Sequence, residues 1–161
     1  MTSIQNTKKE KRYQRVLEQL ETLLTKTDQP IPRMATIAAL LHHKMDHFFW
    51  TGFYLFVDGE LMVGPYQGAV ACQILKKNTG VCWSAILKKE PEIVPDVHQF
   101  PGHIACDSRS NSEIVVPLYD RNGTIVGCLD IDSQRFDNFD VLDAIYLSKI
   151  SNLVFQYHLA D

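Results

Sequence analysis

Glu113-Ile114-Val115-Val116-Pro117-Leu118-Tyr119, Asp120-Arg121-Asn122-Gly123 and Thr124-Ile125-Val126-Gly127-Cys128-Leu129-Asp130-Ile131-Asp132 together decide the fold. Two apolar runs flank a turn that ends in Asn-Gly, the signal of an antiparallel hairpin. Side chains alternate across a strand, so Asp130 and Asp132 share one face while Leu129 and Ile131 take the other. Glu113 opens the partner strand and comes close to that pair if it points the same way. Neighbouring carboxylates repel, so at least one of their pKa values should rise. The plainer alternative is a pair of acids at a solvated strand end. Three acids at one mouth would suit holding an ammonium group and donating a proton.

Just before the hairpin runs Gly102-His103-Ile104-Ala105-Cys106-Asp107-Ser108-Arg109-Ser110-Asn111-Ser112. A packing cysteine is expected among Val and Leu, whereas Cys106 stands among hydrogen-bonding residues in a loop that leads into a strand. It is either an incidental loop cysteine or a reactive one. Upstream, Glu92–Val97 reads as a brief strand and Val81–Lys89 as a short helix with Cys82 in its first turn. There the helix dipole should favour a thiolate, which makes Cys82 a better redox candidate than Cys72. Ala69–Leu75, carrying Cys72, reads as a strand, and Gly64-Pro65-Tyr66-Gln67-Gly68 as a strand break.

Further upstream, Phe48–Val57 and Glu60–Tyr66 flank Asp58-Gly59, a second hairpin. Trp50 and Tyr54 fall on one face of it, as core packing or as the wall of a pocket. Apolar residues at three- and four-residue steps predict a helix over Lys8–Lys26, and a second follows Pro30-Ile31-Pro32 to about His43. His42, His43 and His47 lack a metal signature such as H-E-x-x-H and read as solvated or capping residues. Downstream, Asp140 should cap a helix reaching Leu159, with Leu142, Ile145, Ile150, Leu153, Val154 and Tyr157 inward. Helices therefore bracket a run of hairpins, an α+β arrangement with helices packed on an antiparallel sheet.

The 161 residues suit one domain, and the net charge of −3 gives no electrostatic case for nucleic acid or an anionic membrane. No stretch approaches the roughly 20 apolar residues of a membrane span, and the start lacks the apolar run of a signal peptide. The chain reads most simply as cytoplasmic. Cys72, Cys82, Cys106 and Cys128 are then reserved for packing, metal or redox work rather than for a permanent disulfide framework. Without a C-x-x-C pair the strong zinc patterns are missing, so no metal and no cofactor are expected.

Trp50-Thr51-Gly52-Phe53-Tyr54, Gly64–Gly68, Gly80-Val81-Cys82, Phe100–Ser108, Ser112–Pro117 and Gly127–Ser133 resemble the free methionine-(R)-sulfoxide reductases, a catalytic branch of GAF domains. The resemblance implies a GAF-like domain over residues 35–161, preceded by a helical segment over residues 1–34. It implies thiol-dependent reduction of free methionine sulfoxide, an oxidative stress repair, through a cysteine sulfenic acid and a redox-active disulfide. Cys106 matches the catalytic cysteine, and Cys82 and Cys72 match the other two cysteines of the family, one or both of which resolve the intermediate. Glu113, Asp130 and Asp132 match acids around the substrate, and Trp50 and Tyr54 match pocket aromatics. Asp132 is assigned to the sulfoxide oxygen, and Glu113 and Asp130 to the ammonium. Cys128 lies outside the pattern, and His103 lies within it without an assigned role. A thioredoxin-type dithiol is the natural reductant, and the N-terminal helix is available for a homodimer contact. Three rivals differ in class: a non-catalytic GAF module that binds a small ligand, a thiol redox sensor, and a zinc protein using Cys72, Cys82, Cys106 and a histidine.

Overall fold

The computed structural model describes residues 3–103 and 106–156. In chain order the elements are α1 (Ser3–Leu23), α2 (Pro30–Lys44), β1 (Trp50–Val57), β2 (Glu60–Gln67), β3 (Ile74–Leu75), α3 (Gly80–Lys88), β4 (Glu92–Val94), β5 (Ser112–Tyr119), β6 (Ile125–Ser133) and α4 (Val141–Asn152). The six strands form one antiparallel sheet in the order β3-β2-β1-β6-β5-β4. The two sequence-predicted hairpins are β1–β2 and β5–β6, and they meet through β1 and β6 at the sheet centre. Asp58 and Gly59 both take positive φ, 52° and 82°, as a two-residue turn between twisted strands requires.

Alternation along the strands divides the interior into two layers. On one face Phe53, Ile114, Leu129 and Ile131 pack with α1, α2 and α4. On the other, Tyr54, Val115 and Cys128 pack with Val81, Trp83 and Ala85 of α3. Tyr13, Val16 and Leu20 of α1 are at most 2% exposed, so the first helix belongs to the core. Each such buried side chain contributes about 1.5–3 kcal/mol, more than a typical hydrogen bond adds.

Polar groups fix the angles between helices. The Tyr13 hydroxyl donates to Asp143 Oδ1 at 2.6 Å, and Lys9 reaches both Asp143 and Asp140. Asp140 and Asp143 also form a reciprocal capping box at the start of α4. At the other end of α4, Arg33 of α2 has a fully buried guanidinium. It donates to the carbonyls of Leu24, Thr27, Leu153 and Val154 and to Asp28. One planar donor fork thus satisfies the segments that follow two helices, α1 and α4, a task suited to arginine.

Four sequence expectations change. The strand through Gly64-Pro65 continues, because this dipeptide falls at a bulge opposite Phe53 that absorbs the proline. Ala69–Leu75 is strand only at Ile74–Leu75, so Cys72 sits in irregular backbone between β2 and β3. α4 ends at Asn152, just before the carbonyls that Arg33 collects; Tyr157 and Leu159 lie outside the described residues. Ile145 is 47% exposed, while Tyr146 and Leu147 turn inward.

Arg33→Met should fold less stably by about 3 kcal/mol, since the carbonyls it serves stay buried without a donor. Urea titration should show a lower midpoint at an unchanged slope, and an unchanged midpoint would remove Arg33 from this role.

Candidate active site

A cavity of about 60 Å³ opens on the face of the sheet away from α1, α2 and α4. Its floor is built by register. Trp50, Asp132 and Glu113 lie side by side on β1, β6 and β5, and Asp130 lies two residues along β6, between Gly52 and Val115. Period-two alternation sends all of these acids into the cavity and sends Leu129 and Ile131 into the opposite layer.

The aromatic wall depends on a glycine. Trp50 stacks with Tyr54 at 5.8 Å and with Tyr66 at 5.2 Å between ring centroids. A Cβ on Gly52 would lie 2.3 Å from Tyr66 Cβ and 2.5 Å from the Trp50 ring, so only glycine lets the indole lie across β1. Trp50 Nε1 donates to the Ala69 carbonyl at 3.0 Å, and the Tyr54 hydroxyl donates to the Cys72 carbonyl at 3.1 Å. The same two aromatics that line the cavity therefore hold the segment that carries Cys72.

Burial dominates the electrostatics of the floor. Glu113 and Asp130 are each 6% exposed, while Asp132 stands half-buried beside them. Burial, and then the charges of Asp130 and Asp132, push the Glu113 carboxyl well above its ordinary value. Burial and then Asp130 do the same to Asp132, against a hydrogen bond from buried Ser110. Asp130 is raised to about 7 by burial, with hydrogen bonds to Glu113 and Cys82 working in the opposite direction. At least part of this set therefore carries protons at neutral pH.

Cys72 and Cys106 are joined in a disulfide, with 5.6 Å between their Cα atoms, bridging the β2–β3 loop to the β4–β5 loop at the cavity rim. Cys106 is exposed there. Cys82 occupies the first turn of α3 and lines the cavity, yet it is a buried thiol. A hydrogen bond with Cys128, then burial and the nearby acids, hold its pKa well above the ordinary thiol value. The expected thiolate at this helix start is thus corrected: the acids and the dry surroundings outweigh the dipole. The zinc set of Cys72, Cys82, Cys106 and a histidine is not available in this state, because two of its sulfurs are bonded to each other. His103 lines the cavity with Nδ1 3.8 Å from Glu113 Oε2, and burial lowers its pKa, so the ring is neutral. His42 lies at the sheet beside Thr51 and His47 packs against Phe48 and Phe139, both away from the cavity.

Sequence reasoning did not single out Ser110, Tyr66 or Gly52 as site residues. Ser110 had a signal in its place between Cys106 and Glu113. Tyr66 and Gly52 had only their neighbourhood, since their partnership through Trp50 depends on the β1–β2 register. Arg109 is a further addition: it pairs with Asp107 at 2.7 Å and stands 4.7 Å over the Phe49 ring, anchoring the loop just after Cys106.

With this geometry in place, the relatives are informative. Residues 35–156 match a family described as GAF domain. GAF domain-containing protein A of Dictyostelium discoideum is 46% identical over 147 residues, covering 91% of this chain and 92% of that protein. Free methionine-R-sulfoxide reductase of Saccharomyces cerevisiae is 45% identical over 108 residues, covering 65% of this chain and 60% of the yeast protein. A solved free methionine-R-sulfoxide reductase of Neisseria meningitidis, in complex with its substrate, superposes with a TM-score of 0.83 at 39% identity, over 88% of this chain and 85% of that one.

Gly52→Ala should displace the Trp50 ring at a cost of about 1–3 kcal/mol, as overpacking does in a dense interior. The near-ultraviolet circular dichroism of the stacked aromatics should weaken while the far-ultraviolet spectrum holds. An unchanged near-ultraviolet spectrum would mean that the wall tolerates the methyl group.

Proposed function

Since the chain belongs to the GAF domain family, in the branch that holds the free methionine-R-sulfoxide reductases, we propose that it reduces free L-methionine-(R)-sulfoxide to L-methionine. The observation that carries this reading is a disulfide at the rim of a cavity whose floor holds acids with raised pKa values beneath an aromatic wall. A sulfoxide is a poor electrophile until its oxygen gains a proton. Asp132, kept neutral by burial and by Asp130, is placed to donate that proton. The Cys106 thiolate attacks the sulfur, methionine leaves, and the oxygen remains on Cys106 as a sulfenic acid.

Cys72 is the resolving cysteine in this scheme. Its thiol condenses with the sulfenic acid, one water departs, and the Cys72–Cys106 disulfide results. This departs from the sequence-based preference for Cys82, whose raised pKa and burial disfavour attack. An external dithiol of thioredoxin type then attacks the exposed Cys106 side of the bridge and restores both thiols.

Selectivity for the free amino acid follows from desolvation. The α-ammonium draws Glu113 and Asp130 into their ionised forms and pairs with them. An acylated amine would bring no charge and would leave both acids buried without a partner. The aromatic wall of Trp50, Tyr54 and Tyr66 takes the sulfur end of the substrate. A thiol sensor without a substrate would account for the disulfide but leaves the three acids without a task.

Purified protein with a dithiol reductant should reduce the free R epimer and leave the S epimer and N-acetylmethionine sulfoxide nearly untouched. Comparable rates on all three would contradict the acid pocket, and no rate on the R epimer would end the proposal.

In burst assays of the reduced protein with excess substrate and a dithiol reductant, Cys106→Ser should release no methionine. Cys72→Ser should release one equivalent and then slow severely, while Cys82→Ser should keep turning over. Stalling of Cys82→Ser with sustained turnover of Cys72→Ser would return the resolving role to Cys82.

A further inference from the structure

We propose that the cavity floor is also a site for one thiophilic divalent cation of the zinc or cadmium class, held by Cys82 Sγ and by carboxylate oxygens of Glu113 and Asp130. The ligand atoms of these three residues all lie within 4.8 Å of one another. Zinc bonds sulfur at about 2.3 Å and carboxylate oxygen at about 2.0–2.2 Å, so two ligands of one tetrahedral ion stand about 3.5 Å apart. The cluster closes on such an ion by contracting about 1 Å, through rotation of the three side chains.

A second observation points the same way. Asp130 is 6% exposed and lines the cavity; Glu113 and Cys82 are its hydrogen-bond neighbours, yet its Oδ1 atom has no partner among the described residues. A buried carboxylate oxygen without a donor is an atom awaiting a ligand. The donor set chooses the metal. Metal binding displaces the Cys82 proton to solvent, and the resulting thiolate beside two carboxylates favours a borderline-soft ion over magnesium or calcium, which prefer oxygen alone. Three protein ligands leave the remaining position facing the cavity, as in zinc sites that keep one place open.

The site is separate from the redox bridge. Cys72 and Cys106 are bonded to each other in the oxidised protein, whereas Cys82 stays free. The cation can therefore bind while the disulfide is closed. On the reductase reading, it would occupy the place of the substrate ammonium and so exclude substrate; that consequence rests on the proposed function, and the binding itself does not.

The test uses the full chain in its Cys72–Cys106 disulfide form, titrated with cadmium chloride under a chelating buffer. Growth of the thiolate-to-cadmium charge-transfer absorption should saturate at one equivalent. Cys82→Ser should abolish the band, Asp130→Asn should weaken binding at least tenfold, and Cys128→Ala should retain the band. Circular dichroism establishes that each variant is folded, and Asp130→Asn, which preserves shape and Cys82, tests the carboxylate separately. A band that survives in Cys82→Ser, no band in the unaltered protein, or equal affinity in Asp130→Asn would overturn the proposal. No turnover enters the measurement, so its failure is distinguishable from failure of the reductase reading.

Discussion

Glu113, Asp130 and Asp132 share one poorly hydrated cavity, and the surrounding structure has to keep them from being ionised together. At an effective dielectric constant near 20, two like charges 4 Å apart repel by about 4 kcal/mol. Three ionised neighbours would consume much of the roughly 5–15 kcal/mol that holds a domain folded. The acid cluster therefore stands partly protonated, and that condition is also what the proposed chemistry needs. A proton is in place for an oxygen, and ionisable partners are in place for an arriving cation. Everything nearby conforms to this requirement. β6 is central so that its acids can be flanked by Trp50 on one side and Glu113 on the other, and Gly52 has no side chain so that the indole can lie across the strand.

The alternation in Leu129-Asp130-Ile131-Asp132 was legible in the sequence because a strand has a period of two, and two apolar residues alternating with two acids leave one consistent orientation. The hairpin turns were legible for the same kind of local reason. Pairing across the sheet was not. Nothing in the order of residues says that β1 lies beside β6, and it is this pairing that sets Trp50 opposite Asp132. The Cys82 environment was misjudged because the first-turn dipole is a local property. The acids and Cys128 that overcome it come from β5 and β6. Likewise the end of α4 is set by Arg33, more than a hundred residues earlier in the chain.

The two kinds of cysteine in the site divide along burial. The pair bridging the rim lies on loops, with Cys106 exposed, and the free pair lies between α3 and β6 among packed aromatics. Thiol exchange requires access, so on the proposed mechanism burial disfavours Cys82 and Cys128 as exchange partners. The aromatic hydrogen bond from Tyr54 to the Cys72 carbonyl couples these layers, for it ties the mobile chemistry of a loop to a central strand.

The match to the GAF family begins at residue 35, whereas Tyr13, Val16 and Leu20 are already deep in the core and Arg33 stitches the α1–α2 connection to the end of α4. The portion that evolution has reused across many proteins is therefore not, in this chain, a detachable cartridge. Recombination at the family boundary would transplant the sheet and its pocket while exposing a bare apolar face on the far side. The leading helix would have to travel with the pocket for the core to stay closed, although none of its described residues lines the cavity.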